Sequence, residues 1–151
     1  ISTATNMTPI VAIVFALLAA HVKANTKELS PVEVYKHKLH DECIKETKAT
    51  PEQAKIVFNY KDVPKDDGEK CFMECIYKKS GGIDANGKYS IEGLNKLVDM
   101  KYKGEENARA KMIVTDCSSK AAPKEGEKCS AGRTIRECLA AATKENEFFT
   151  I

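Results

Sequence analysis

Tryptophan is absent from this chain, aromatic residues make up 7% of it, and no uncharged apolar run exceeds 11 residues. With so few rings, no aromatic platform for carbohydrate is evident. A membrane-spanning helix needs about 20 consecutive apolar residues, so even the longest run is too short, and no membrane insertion is expected. One-sided charge is missing too: 24 Lys and Arg stand against 22 Asp and Glu, a net charge of +2. Nucleic-acid binding calls for a basic patch or stripe, and this balance supplies none. Histidine occurs three times, as His21, His37 and His40, with no G-x-S-x-G or H-E-x-x-H nearby. His40-Asp41-Glu42-Cys43 imitates a phospholipase pair only superficially, because the adjacent-cysteine motif and glycine-rich calcium loop are absent. The chain is therefore not expected to be an enzyme, and no cofactor is expected.

The apolar run that does exist, Ile10 to Ala20 (IVAIVFALLAA), has the length of a secretory h-region. After it, His21-Val22-Lys23-Ala24 offers short residues at the positions a signal peptidase reads, ahead of Asn25. No Lys or Arg precedes the run, so the basic n-region is missing. Met7 is the only early methionine, and Ile1 to Asn6 read as sequence upstream of the true start. The expectation is a secreted protein, with residues 1–24 a signal peptide and residues 25–151 one extracellular domain. Removing Lys23 with the leader leaves the domain with 23 basic and 22 acidic residues.

In an oxidising compartment, the even set Cys43, Cys71, Cys75, Cys117, Cys129 and Cys138 reads as a disulfide framework whose pairing is open. Cys71 and Cys75 sit four apart on one helix face, unsuited to bond each other, so each is expected to reach a different helix. Zinc would call for C-x2-C pairs with histidines at matching separations, and none is present. Asp84-Ala85-Asn86-Gly87-Lys88 starts like a calcium loop, but Lys88 occupies a ligand position and Gly87 is misplaced, so a turn is expected. No metal site is assigned.

Helix signals recur along the domain. Ser30-Pro31-Val32-Glu33 is a capping box with proline at the first helical position, leading into Val32, Tyr35, Leu39 and Cys43. Thr50-Pro51-Glu52-Gln53 repeats it ahead of Ala54, Ile56, Val57 and Phe58. A third helix, capped by Asp66 or Asp67, carries Cys71, Phe72, Cys75 and Ile76 and stops at Gly81-Gly82. A fourth opens at Ser90, a fifth runs from about Glu105 to Ser118, and a sixth from about Glu127 to Ala142, with a bend expected at Gly132. No strand alternation persists. The fold class expected is all-α, with about six helices.

The cysteine order and spacing, three residues between Cys71 and Cys75 and eight between Cys129 and Cys138, resemble the six-cysteine insect odorant-binding proteins of the pheromone/general-odorant-binding family. The resemblance covers nearly the whole chain after the leader. It implies the disulfides Cys43–Cys75, Cys71–Cys129 and Cys117–Cys138, and six helices around an apolar cavity. It implies reversible binding of a small hydrophobic odorant or pheromone, carried through aqueous lymph toward receptors. Expected partners are that volatile ligand, an olfactory receptor and, as an option, a second copy of the chain.

Burial of apolar surface yields about 25 cal/mol per Å², enough for a volatile of roughly 10–16 carbons to bind. The expected wall comprises Val57, Phe58, Phe72, Met73, Ile76, Leu94, Leu97, Met100, Met112, Ile113, Val114, Ile135 and Leu139. Methionine suits irregular guests because its thioether is flexible. The tail, residues 144–151, ends Phe148-Phe149-Thr150-Ile151 and is expected to fold back as wall or lid, adding Phe148 and Phe149. A polar contact from Tyr60, Tyr77, Tyr89 or Tyr102 is left unassigned. His37 and His40, among Lys36, Lys38 and Asp41, read as solvated surface. Two other readings compete: a non-olfactory secreted carrier or scavenger of the same fold, and a helical signalling protein without a cavity.

Overall fold

The computed structural model describes residues 29–151. The signal peptide assigned to residues 1–24 lies outside the described residues. The described residues are all-α, with six helices: α1 Pro31–Thr47, α2 Pro51–Ala54, α3 Asp67–Ser80, α4 Ile91–Lys101, α5 Gly104–Ser118 and α6 Ser130–Glu145. The only extended pairing among the described residues is an isolated antiparallel bridge between Ile83 and Tyr89. None of the described helices is long and apolar enough to cross a membrane.

Both capping boxes form. The Ser30 hydroxyl accepts from Glu33 N while the Glu33 carboxylate accepts from Ser30 N at 2.8 Å. Thr50 and Gln53 repeat the exchange at the start of α2. Each such cap stabilises its helix by about 1 kcal/mol. The second helix is shorter than expected, because α2 closes after one turn and Lys55–Phe58 continues as a 3-10 turn. Arg136 donates to the carbonyls of Ile56 and Asn59, diverting acceptors that a continuing α-helix would use. Asp66 caps α3 by accepting from Glu69 N, and Gly81 ends it with φ of +82°, a conformation open to glycine at little cost.

The sixth helix starts later than expected. Cys129 adopts φ of +52°, outside the helix, so α6 begins at Ser130 and runs on to Glu145. Gly132 serves close approach rather than a bend: a Cβ there would lie 2.4 Å from both Glu74 N and Lys70 O of α3. The absent side chain lets α6 lie directly on α3.

Three disulfides staple this arrangement. Cys43–Cys75 joins α1 to α3, Cys71–Cys129 joins α3 to the start of α6, and Cys117–Cys138 joins α5 to α6. This is the pairing the resemblance implied, with Cys71 and Cys75 taking different partners. The core between the helices is filled by Phe72, Leu94, Val98, Val114, Ile135, Leu139 and Phe149, all essentially inaccessible to solvent.

Candidate functional site

An apolar cavity lies between α1, α3 and α4. Helix α1 presents Val32, Tyr35, Lys36 and Leu39 to it, and α3 presents Met73, Ile76, Tyr77 and Ser80. The two sets share one spacing, i, i+3, i+4 and i+7, which places four side chains on a single helix face. Leu97 and Lys101 enter from α4, one turn apart, and Val57 enters from the 3-10 turn. Arg136 of α6 and Thr150 and Ile151 of the tail complete the wall. The space open to the centres of water-sized atoms is about 60 Å³. An apolar cavity that takes benzene measures about 150 Å³, so this space as it stands admits only a guest smaller than benzene. That is smaller than the volatile of roughly 10–16 carbons expected from the sequence.

Of the wall residues expected from sequence, Val57, Met73, Ile76 and Leu97 face the cavity. Phe72, Leu94, Val114, Ile135, Leu139 and Phe149 are buried, but they pack the core between helices instead of lining the cavity. Phe58 is half-buried beside the rings of His37 and His40. Ile113 lines a separate shallow groove with Cys117 and Cys138. Phe148 is half-buried, with the Arg109 guanidinium 4.4 Å from its ring centre.

Met100 and Met112 are corrections to the sequence reading: they are 45% and 66% exposed. Met100 lies two positions beyond buried Val98, and Met112 lies two from both Ala110 and Val114. On a helix of 3.6 residues per turn, two positions lead to the opposite side. His37 is exposed, but His40 is only partly so, its ring lying against Phe58 and Phe72. Asp84 turns the chain by accepting from Asn86 N and Lys88 N, both at 2.9 Å.

The sequence reading missed the α1 face and the charged wall residues. Two signals were present. Val32, Tyr35 and Leu39 form an apolar stripe, and Arg136 interrupts the apolar face of α6 between Ile135 and Leu139. Arg136 is 1% exposed. Its Nε donates to Asp62 O at 3.0 Å, and its Nη2 donates to Ile56 O at 2.8 Å and Asn59 O at 2.7 Å. Those bonds hold the loop before α3 against α6.

The four tyrosines divide among separate tasks. The Tyr89 hydroxyl donates to Val114 O at 2.7 Å. Tyr102 binds the tail, donating to Phe148 O, and Tyr60 accepts from Lys36 Nζ. The Tyr77 hydroxyl is buried in the cavity wall with no hydrogen-bond partner.

Residues 31–142 match the family model described as the PBP/GOBP family. The chain belongs to the PBP/GOBP family. Solved structures agree in fold with this member. An odorant-binding protein from Drosophila melanogaster superposes with a TM-score of 0.62 at 21% identity, covering 74% of this chain and 92% of that one. Odorant binding protein 5 of Apis mellifera gives 0.60 at 20% identity, over 80% and 93% of the two chains. A fatty acid binding protein from the oral disk of the blowfly Phormia regina gives 0.55 at 26% identity, over 78% and 97%. No curated protein matches the chain by sequence. The three-disulfide, six-helix architecture is thus that of the insect odorant-binding proteins, and this PBP/GOBP member is similar to carriers of small hydrophobic ligands.

Proposed function

We propose that the protein is an extracellular carrier that takes a small hydrophobic molecule into the α1–α3–α4 cavity and releases it reversibly. The observation that carries this reading is the cavity itself: aliphatic walls from three helices, inside a shell tied by three disulfides. Apolar surface removed from water is worth about 25 cal/mol per Å², so a guest gains affinity without any covalent chemistry. No catalytic step is assigned.

A guest longer than this space enters by displacing Thr150 and Ile151, which form one wall and are not held by any disulfide. Met73 and Leu97 adjust to its shape. In an olfactory setting the cargo is an odorant or pheromone moving through lymph to a membrane receptor.

The test is titration of the oxidised protein with a hydrophobic fluorescent probe, followed by displacement with a panel of volatiles. Saturable uptake of one probe per chain, displaced by some volatiles and lost on reduction, supports the carrier. A folded, correctly paired sample with no saturable uptake sinks it and favours a signalling protein that works through its outer surface.

A further inference from the structure

Three cations converge behind the apolar lining at one end of the cavity. Lys36, Lys101, Arg136 and Tyr77 all line it, almost wholly through their carbon atoms, and the three cationic groups gather around the Tyr60 ring. None of the three cations is ion-paired with a carboxylate among the described residues. Salt bridges among the described residues lie elsewhere, as on Lys70, Lys79, Lys111 and Arg133 with their acidic neighbours. Burying several like charges together is unfavourable unless an opposite charge joins them. Burial, then the nearby Lys101 and Arg136 charges, push the Lys36 pKa down to about 8, against a smaller attraction from Glu33. Burial lowers Lys101 as well. Glu33 belongs to the cap at the helix start, where its carboxylate accepts from Ser30.

Arg136 has a structural task, because three backbone carbonyls hold its guanidinium rigidly. The lysines have weaker reasons to be there. Lys36 donates to Tyr60 OH, and Lys101 donates to the carbonyl and hydroxyl of Thr150, a tail residue. Neutral oxygens do not balance their charge. The fourth group, Tyr77, is 3% exposed, and its hydroxyl proton has no acceptor. The Arg136 guanidinium beside it acts on the hydroxyl oxygen, as a charge and as a neighbouring donor, and leaves that proton unmet. Native proteins rarely leave such a donor unmet, and an acceptor arriving with the guest would satisfy it.

We propose that this end of the cavity is a carboxylate site, and that the preferred guests are apolar chains ending in one carboxylate. Lys36, Lys101 and Tyr77 donate to its two oxygens, with the fixed Arg136 charge beside them. The aliphatic wall of Leu39, Met73, Ile76 and Leu97 receives the chain. Hydrogen bonds to a charged acceptor are stronger than those to a neutral one, and the low-polarity surroundings strengthen them further. In binding, the carboxylate takes over the Lys101 donors now held by Thr150, so entry of the headgroup and displacement of the tail are one event.

This inference rests on the carrier reading above. Its test uses the oxidised protein and calorimetric titration with two matched pairs, hexanoate against hexanol and decanoate against decanol. At about pH 6.5 both acids are ionised and Lys36 is charged, and each acid is expected to bind about tenfold or more tighter than its alcohol. The preference should collapse in Lys36→Met and Lys101→Met, and at about pH 9.5, where Lys36 loses its proton. In both variants the acid should lose far more affinity than its alcohol, and an unchanged circular dichroism spectrum with a cooperative urea transition checks that they remain folded. Equal affinity for acid and alcohol in the unaltered protein overturns the carboxylate site while leaving the carrier standing. Binding of neither overturns both.

Discussion

The Tyr102 hydroxyl accepts a hydrogen bond from Thr150 N at 2.6 Å while donating to Phe148 O at 3.1 Å. One side chain from the end of α4 thereby fixes the tail on both sides of Phe149. Tyr102→Phe removes both bonds and leaves the ring in place. At about 0.5–1.5 kcal/mol per bond, stability should fall by about 1–3 kcal/mol. Probe release, followed by stopped-flow fluorescence, should speed up, since Thr150 and Ile151 are wall residues. An unchanged release rate would remove the tail from the cavity's gating.

The two tail aromatics should separate sharply under mutation. Phe149 is completely buried, whereas Phe148 is half-buried beside Arg109. Phe149→Ala should cost about 3–5 kcal/mol, the range for deleting a core phenylalanine. Phe148→Ala should cost about 1 kcal/mol, the scale of a partly exposed ring contact. Urea unfolding of both variants checks this. Similar losses would mean that Phe149 is not the tail's anchor.

The disulfides should differ in worth according to the chain they enclose. Cys71–Cys129 spans 58 positions, against 21 for Cys117–Cys138. Chain-entropy reasoning assigns about 4 kcal/mol to the first and about 3 to the second. Replacing each pair by alanine and comparing denaturant midpoints should show the larger loss for Cys71–Cys129. The reverse order would mean that native packing, not chain entropy, sets the difference.

Stability should rise as pH climbs from about 8 toward 10. In the folded protein Lys36 has its pKa lowered from 10.5 to about 8. Between those values the unfolded chain holds a proton that the folded chain has released, so raising pH favours folding. Below about pH 8 both states are protonated and the penalty of the buried charge is fully present. Lys36→Met should therefore stabilise the ligand-free protein at neutral pH, by roughly 1–2 kcal/mol after allowing for solvent screening. Above about pH 10 burial keeps the Tyr77 and Tyr89 hydroxyls protonated while the unfolded ones ionise, and the slope reverses. Urea midpoints across this range decide the matter; a flat profile between pH 8 and 10 would contradict a buried Lys36.

The helix signals were legible because they are local. Ser30 and Thr50 cap through residues three positions away, and Gly81 ends α3 by its own backbone conformation. The cysteine spacing carried the covalent frame. The cavity wall was less legible, since apolar character marks burial but does not say which buried face meets a void. Phe72 and Met73 are neighbours in sequence, yet only Met73 reaches the cavity. Charged wall residues escaped for a different reason. Lys36, Lys101 and Arg136 look solvated from sequence, and only the tertiary fold shows that they converge. Gly132 likewise read as a helix weakness until α3 was seen against it.

The covalent map divides the cavity into two kinds of wall. Val57, Met73, Ile76, Tyr77, Ser80, Leu97, Lys101 and Arg136 all lie between the first and last cysteines, Cys43 and Cys138. Val32, Tyr35, Lys36 and Leu39 precede that span, and Thr150 and Ile151 follow it. The first of these sets stands on helix α1, which Cys43 ties to α3, so only the tail after Glu145 can swing aside without breaking a helix or stretching a closed loop. Such a vessel has a rigid bowl and a single hinged flap, and opening that flap leaves the covalent frame of the bowl intact.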